Sequence, residues 1–308
     1  MKFSTYLKQC REKQDFTQEQ LVQELYNFND TFEALDVSTL SRWERGTTKP
    51  SIEKMLQTVE MFAKLNNIIL PCFDDIDDNS MEDELCKIGI KNLIGNSKEH
   101  ILNFPSLSFT ADDIKIKHLR SVEDIDSALS MPHEVMKGLA GTESFFGKEL
   151  LKSWALHPSN LFLLSEHHSQ FYGLFFVLRL KPSSFEKMIN FEVNPKDFTD
   201  DDFASFEEMG CPFPIGFFAY NEKSSRMLFL RFYAHLIANQ KVISSIGSTP
   251  LLPSAKKLAM KMNMIAHKER ETPRGKMTSY QASLSDVLIN EAVLKMIFQK
   301  QDCPVDGN

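Results

Sequence analysis

The chain has 308 residues, 42% of them hydrophobic and 25% charged, with a formal net charge of -7. That length and balance suit a folded polypeptide with room for two domains, and they exclude a protein that coats nucleic acid through bulk positive charge. The cysteines at 10, 72, 86, 211 and 303 show no C-x-x-C spacing and no pairing plan, which fits a reducing, cytoplasmic setting.

The opening Met-Lys-Phe-Ser-Thr-Tyr-Leu turns polar by Lys8, unlike a signal peptide. No stretch approaches the roughly 20 apolar residues of a membrane span. Phe3, Tyr6, Leu7 and Cys10 share one face at helical spacing, which predicts a helix from about Phe3 to Gln14. Thr17 with Gln20 reads as a capping box opening a second helix, whose apolar face is Leu21, Val22 and Leu25. The stretch Asp36–Pro50 predicts a short helix capped by Ser38, with Leu40 and Trp43 turned inward and Gly46 as its stop. Ser51 then caps a helix carrying Ile52, Met55, Leu56, Val59 and Phe62.

The joint pattern is Thr-Gln opening one helix, then Leu-Ser-Arg-Trp-Glu-Arg-Gly-x-x-x-Pro on the next. It resembles the lambda-repressor-like (XRE, Cro-type) helix-turn-helix family. The resemblance implies an all-α DNA-binding bundle over residues 1–70. Val37, Ser38, Thr39 and Arg42 would face base edges in the major groove, and Gln18 would hold a phosphate or an outer base. Lys49, with the backbone amides after Gly46, would touch phosphate. Arg11 and Glu44 would form a partly buried ion pair. Tyr26–Leu35 is several residues longer than the family's tight turn, and would either extend the second helix or form a small loop. Residues 1–65 hold nine Lys and Arg against ten Asp and Glu. One such module would release few counterions on binding, so a homodimer on a two-part site in double-stranded DNA is expected.

Residues 71–110 read as a linker, with an acidic run at 71–80 and a helix over Glu82–Leu93. The acidic run lacks the Gly and distal Glu of a calcium loop, so no metal site is expected. Residues 111–308 read as an α/β (α+β) domain. Strands are expected at Ile114–Leu119, Asn160–Ser165, Phe171–Leu180, Phe213–Tyr220, Lys241–Ser245 and around Met277–Leu284. Helices are expected after Ser121 and at Glu143–Leu156, Ser224–Ala238, Ser254–His267 and Asp286–Gln299, with a short one within 183–212.

That order is similar to the GCN5-related N-acetyltransferase (GNAT) fold, with a mixed sheet. The family holds acyl-coenzyme A pyrophosphate at a Gly-rich turn after its fourth strand. Here the matching Asn221–Met227 has no glycine and carries Glu222. The expectation is therefore a transcriptional regulator with a ligand-sensing or dimerising domain, not an enzyme, and without a cofactor. Its alternatives are an acyl-CoA-dependent acyltransferase carrying a DNA-binding module, or a DNA-binding protein whose large domain only binds a protein partner. Phe175, Phe176, Phe217, Phe218 and Phe232 are candidates to line a pocket for a small hydrophobic or acyl ligand, though a Phe-rich core explains them equally. Glu166, His167 and His168 read as a solvated hairpin turn.

Overall fold

The computed structural model describes residues 2–66, 69–70, 114–130, 146–168, 170–251, 253–272 and 275–298. The linker reading of 71–110 and its helix at Glu82–Leu93 lie outside the described residues. The chain clusters into two compact units, Met1–Leu93 with Tyr233–Lys241 and Ser285–Asn308, and Ile94–Phe232 with Val242–Leu284.

The first unit opens with helices α1 (Phe3–Lys13), α2 (Gln18–Phe28), α3 (Val37–Glu44) and α4 (Ile52–Asn66). Tyr6, Leu7, Leu21, Leu25, Leu40, Val59 and Phe62 are fully buried. They are the apolar stripes of these helices, brought together at one core. The Thr17–Gln20 capping box forms as a reciprocal pair of bonds, 3.2 Å from the Gln20 amide and 2.7 Å from the Thr17 amide. The long Tyr26–Leu35 spacer resolves into both alternatives at once. It carries α2 on to Phe28 and then makes a 3-10 turn, Asp30–Phe32. Asn29 caps that turn by accepting from the Thr31 amide at 2.9 Å, and Phe32 is fully buried beneath it. The same Asn29 donates to Gln57 of α4 at 3.0 Å, so the spacer is anchored at both its apolar and its polar end.

The second unit contains a four-stranded antiparallel sheet in the order β1 (Lys115–His118), β2 (Leu161–His167), β3 (Gln170–Leu180), β4 (Cys211–Ala219). Helices α5 (Val122–Ser130) and α6 (Lys148–Leu156) lie between β1 and β2 in the chain, and α7 (Pro182–Ile189) follows β3. Gly147 caps α6, which begins at Lys148; residues 143–145 of the expected Glu143–Leu156 lie outside the described residues. One core cluster unites Trp154, Phe162, Phe176, Leu178, Phe185, Phe213 and Phe218. After helix α8 (Glu222–Ala238), a three-stranded sheet runs β5 (Ser245–Ser248), β7 (Gly275–Ser283), β6 (Ile265–Thr272). Among the described residues the strand pairs are antiparallel, and a parallel bridge joins Gly210 to Ile243. The multidomain class is the one expected, an all-α bundle and an α+β unit, but the sheet expected to be mixed pairs its described strands antiparallel throughout.

Three further elements differ from expectation. The strand expected at Lys241–Ser245 forms later, at Ser245–Ser248. The helix expected at Ser254–His267 ends at Lys261 as α9 (Pro253–Lys261). Asn263 then takes a left-handed φ of 59°, and β6 begins at Ile265. From Ile265 to Glu271 every residue of β6 is exposed, so this edge strand carries no apolar–polar alternation from which to recognise it. Finally, the terminal helix divides into α10 (Leu284–Leu288) and α11 (Glu291–Phe298). Asn290 makes the break, donating to the Val287 carbonyl at 2.5 Å and accepting from the Val293 amide at 3.0 Å.

Candidate nucleic-acid interface

Helix α3 is the element that the sequence pattern singles out. Its cap is Asp36, not Ser38. The Asp36 carboxylate accepts from the Thr39 amide at 2.6 Å, and Ser38 sits exposed in the first turn. An Asp three residues ahead of a free amide is itself a cap signal, overlooked beside the Ser. The Thr39 bond holds the Asp36 carboxyl below its ordinary pKa of 3.8, chiefly through the backbone amide. Because the folded value is the lower one, the cap's contribution is complete above the ordinary value and fades as pH falls through the folded value. We expect the Thr39 amide resonance to titrate with a midpoint below 3.8, and Asp36→Asn to abolish that titration; a midpoint at the ordinary value would contradict the cap.

At the other end, the Gly46 amide donates to the Trp43 carbonyl at 3.0 Å. Gly46 has φ +71°, a conformation glycine adopts without penalty at a helix C-terminus. Leu40 and Trp43 are buried, and Lys54 of α4 lies 5.8 Å from the Trp43 ring centroid. The opposite face is open, with Ser38, Arg42 and Arg45 exposed and Val37 and Thr39 half-buried. Arg42 donates to the Thr39 hydroxyl at 2.9 Å, so its guanidinium is held beside the helix start. Arg45 lies on the same helix, its Nε donating to the Ser41 carbonyl at 3.3 Å. Sequence reasoning assigned Arg45 no role, although its exposure and charge suit phosphate. Lys49 is exposed in the turn after α3.

The inward edge of α3 is pinned by charge. Arg11 of α1 donates to Glu44 through Nε at 2.6 Å and Nη2 at 3.2 Å, and to the Phe16 carbonyl through Nη1 at 2.8 Å. The Glu44 side chain is only 5% exposed. Its hydrogen bond raises the Arg11 pKa, so the pair stays charged. Gln18 donates to the second Glu44 oxygen at 2.7 Å. Arg11, Gln18 and Glu44 thus join the end of α1, the start of α2 and the end of α3 in one network. Gln18 is half-buried within it.

Residues 7–60 match the family model described as helix-turn-helix. The N-terminal segment is a helix-turn-helix domain. The match spans α2 and α3 and supports DNA binding by this part of the chain.

In the larger unit, strand alternation separates the candidate pocket residues. Phe175 meets Phe217 at 5.3 Å and Phe232 at 5.0 Å between ring centroids. Phe176 and Phe218 belong instead to the core cluster on the other side of the sheet, where Phe176 stacks on Phe162 at 4.3 Å. Neighbours on a strand point to opposite faces, so the five do not converge on one cavity. At the start of α8 the Asn221 side chain accepts from the Ser224 amide at 2.7 Å, which caps the helix internally. The Glu166–His168 segment also differs from a solvated turn. His167 is 7% exposed within β2, and Glu166 pairs with Lys117 of β1 at 2.8 Å. Among the described residues no cluster of His, Cys, Asp and Glu could hold a metal ion, and no helix is long and apolar enough to cross a membrane.

No curated protein matches the chain. Several solved structures do. An N-acetyltransferase from Staphylococcus aureus Mu50 is 9% identical, with 56% of this chain and 98% of that chain covered at a TM-score of 0.38. An agmatine N-acetyltransferase is 12% identical, with 56% and 100% covered at a TM-score of 0.39. An aminoglycoside acetyltransferase in complex with coenzyme A is 11% identical, with 56% and 96% covered at a TM-score of 0.35. The neighbours named are acetyltransferases, which runs against the expectation that the chain is not an enzyme; no activity or substrate is carried over to this chain.

Proposed function

We propose that this chain is a sequence-specific transcriptional regulator that binds double-stranded DNA as a homodimer through α3. In this reading the larger GNAT-like unit supplies dimerisation or binding of a small acyl or hydrophobic ligand. The observation that carries it is the pose of Arg42. Its guanidinium is exposed and already oriented by Thr39, on a helix whose far edge is locked by Glu44. A guanidinium so placed can bond guanine O6 and N7 together, a contact worth about 1–3 kcal/mol of discrimination. Val37, Ser38 and Thr39 would share the base edges, while Gln18 and Lys49 would set register on the backbone. The near-neutral charge of residues 1–65 supports a pair of modules on half-sites about one helical turn apart.

Arg42→Ala is expected to lower affinity for the selected operator about tenfold or more while leaving binding to random DNA nearly unchanged. Equal losses on both, measured by fluorescence anisotropy at fixed salt, would remove the base-reading role.

The element order of the larger unit favours one alternative, an acyl-CoA-dependent acyltransferase that carries a DNA-binding module. Calorimetric titration with acetyl-CoA separates the two. Binding followed by acetyl transfer to an amine would support the acyltransferase, and binding that shifts operator affinity would support ligand control.

A further inference from the structure

The helix-turn-helix core is not closed by residues 2–66 alone. Helix α11, more than two hundred residues further along the chain, lies in the same compact unit. Val293, Leu294 and Ile297 are fully buried and Phe298 is 3% exposed. The Phe298 ring meets Phe3 edge-on at 5.3 Å and Tyr6 at 5.1 Å, while Tyr6 meets Phe62 of α4 at 6.2 Å. An aromatic chain therefore runs from α11 through α1 into α4. Helix α1 is also the element whose last turn carries Arg11, and Arg11 holds Glu44 of α3.

We propose that α11 is a strap that completes the DNA-binding head and sets the pose of α3 through α1. Seated, it buries the outer face of Phe3 and Tyr6 and fixes α1. Released, it exposes that face, loosens the Arg11 anchor and lets α3 drift from its docking angle. DNA binding is thereby controlled from the C-terminal end of the chain. A fragment ending at residue 70 lacks the strap, so it would bind poorly whatever its oligomeric state. The coupling to DNA rests on the regulator reading above, whereas the strap itself does not.

The test uses the full chain with Phe298→Asp, which puts a carboxylate against two rings, and Phe298→Leu, which keeps an apolar side chain of smaller bulk. Amide hydrogen exchange is compared between α1 and α4 on one side and β2–β4 on the other. Phe298→Asp is expected to speed exchange in α1 and α4 by about tenfold or more, leave β2–β4 unchanged and weaken operator binding by a similar factor. Phe298→Leu is expected to stay within about threefold of the parent in both readouts. Unchanged exchange in α1, or equal loss of protection in β2–β4, overturns the strap. Faster exchange in the head with intact operator affinity overturns its control of DNA binding. A parent chain that binds no DNA would sink the regulator reading, and the exchange comparison would still decide the strap.

Discussion

Glu44→Ala is expected to destabilise the helix-turn-helix domain by about 2–4 kcal/mol. The carboxylate accepts from three donors, two on Arg11 and one on Gln18, and is 5% exposed, so its removal strands all three. Breaking a buried pair from one side costs roughly 3–5 kcal/mol because the remaining charge keeps its desolvation penalty. Arg11 is 14% exposed and retains its bond to the Phe16 carbonyl and its contact with Glu12 at 3.7 Å, which puts the expected loss around the lower end of that range. Loss of the carboxylate also frees the end of α3 from α1, so operator affinity should fall further than stability alone requires. Arg11→Met combined with Glu44→Leu would remove both charges and should recover much of the stability, since apolar packing often matches a buried pair. Urea unfolding followed at Trp43 in a Trp154→Phe background reports on this domain. A Glu44→Ala midpoint equal to the parent's would show that the network contributes nothing.

The contrast between the two units shows what the sequence made legible. The Thr17–Gln20 box could be read directly from its spacing, whereas the Arg11–Glu44 pair was legible only through the family resemblance. Asp36 was overlooked as the cap because Ser38 stood nearer the apolar run. The inserted Asn29–Phe32 turn could be placed but not shaped, since its fate depends on Phe32 finding the core and Asn29 finding Gln57. In the larger unit, strands β2, β3 and β4 announced themselves through dense apolar runs. Strand β6 did not, because an edge strand exposed along nearly its whole length has no face to mark. The separation of Phe175 from Phe176 follows from strand alternation alone, and grouping them by composition concealed it. The docking of Phe298 on Phe3 was beyond sequence pattern altogether. An amphipathic terminal helix states that it must bury a face but not against what.

Gly210→Ala is expected to cost the larger unit about 2.5–6 kcal/mol, through the side chain of Arg179. That guanidinium is 2% exposed and, among the described residues, has no carboxylate ion-pair partner. It bonds backbone carbonyls instead, Nε to Ser205 at 3.1 Å and Nη2 to both Glu208 and Val242 at 2.8 Å. One side chain on β3 thereby holds the loop that follows α7 and the segment that leads to β5. Burial lowers the Arg179 pKa, partly countered by nearby Cys211 and Glu208. A Cβ at Gly210 would stand 2.7 Å from Arg179 Nε and 2.8 Å from Cζ, so the guanidinium would have to leave its carbonyls. Overpacking costs roughly 1–3 kcal/mol, and a lost bond to a charged donor roughly 1.5–3 more, with the charge still buried. Arg179→Met acts differently. It strands the same carbonyls but also removes the desolvated charge, so the two effects oppose and the loss should be smaller. Arg179→Lys would keep the charge without the planar fork and should be worse than Met. In the double variant the methionine has no guanidinium for the new Cβ to displace, so Gly210→Ala should add little there. A double-mutant cycle on urea midpoints reads this as a coupling close to the whole Gly210→Ala loss. Additive losses would mean that Gly210 is small for some reason other than Arg179.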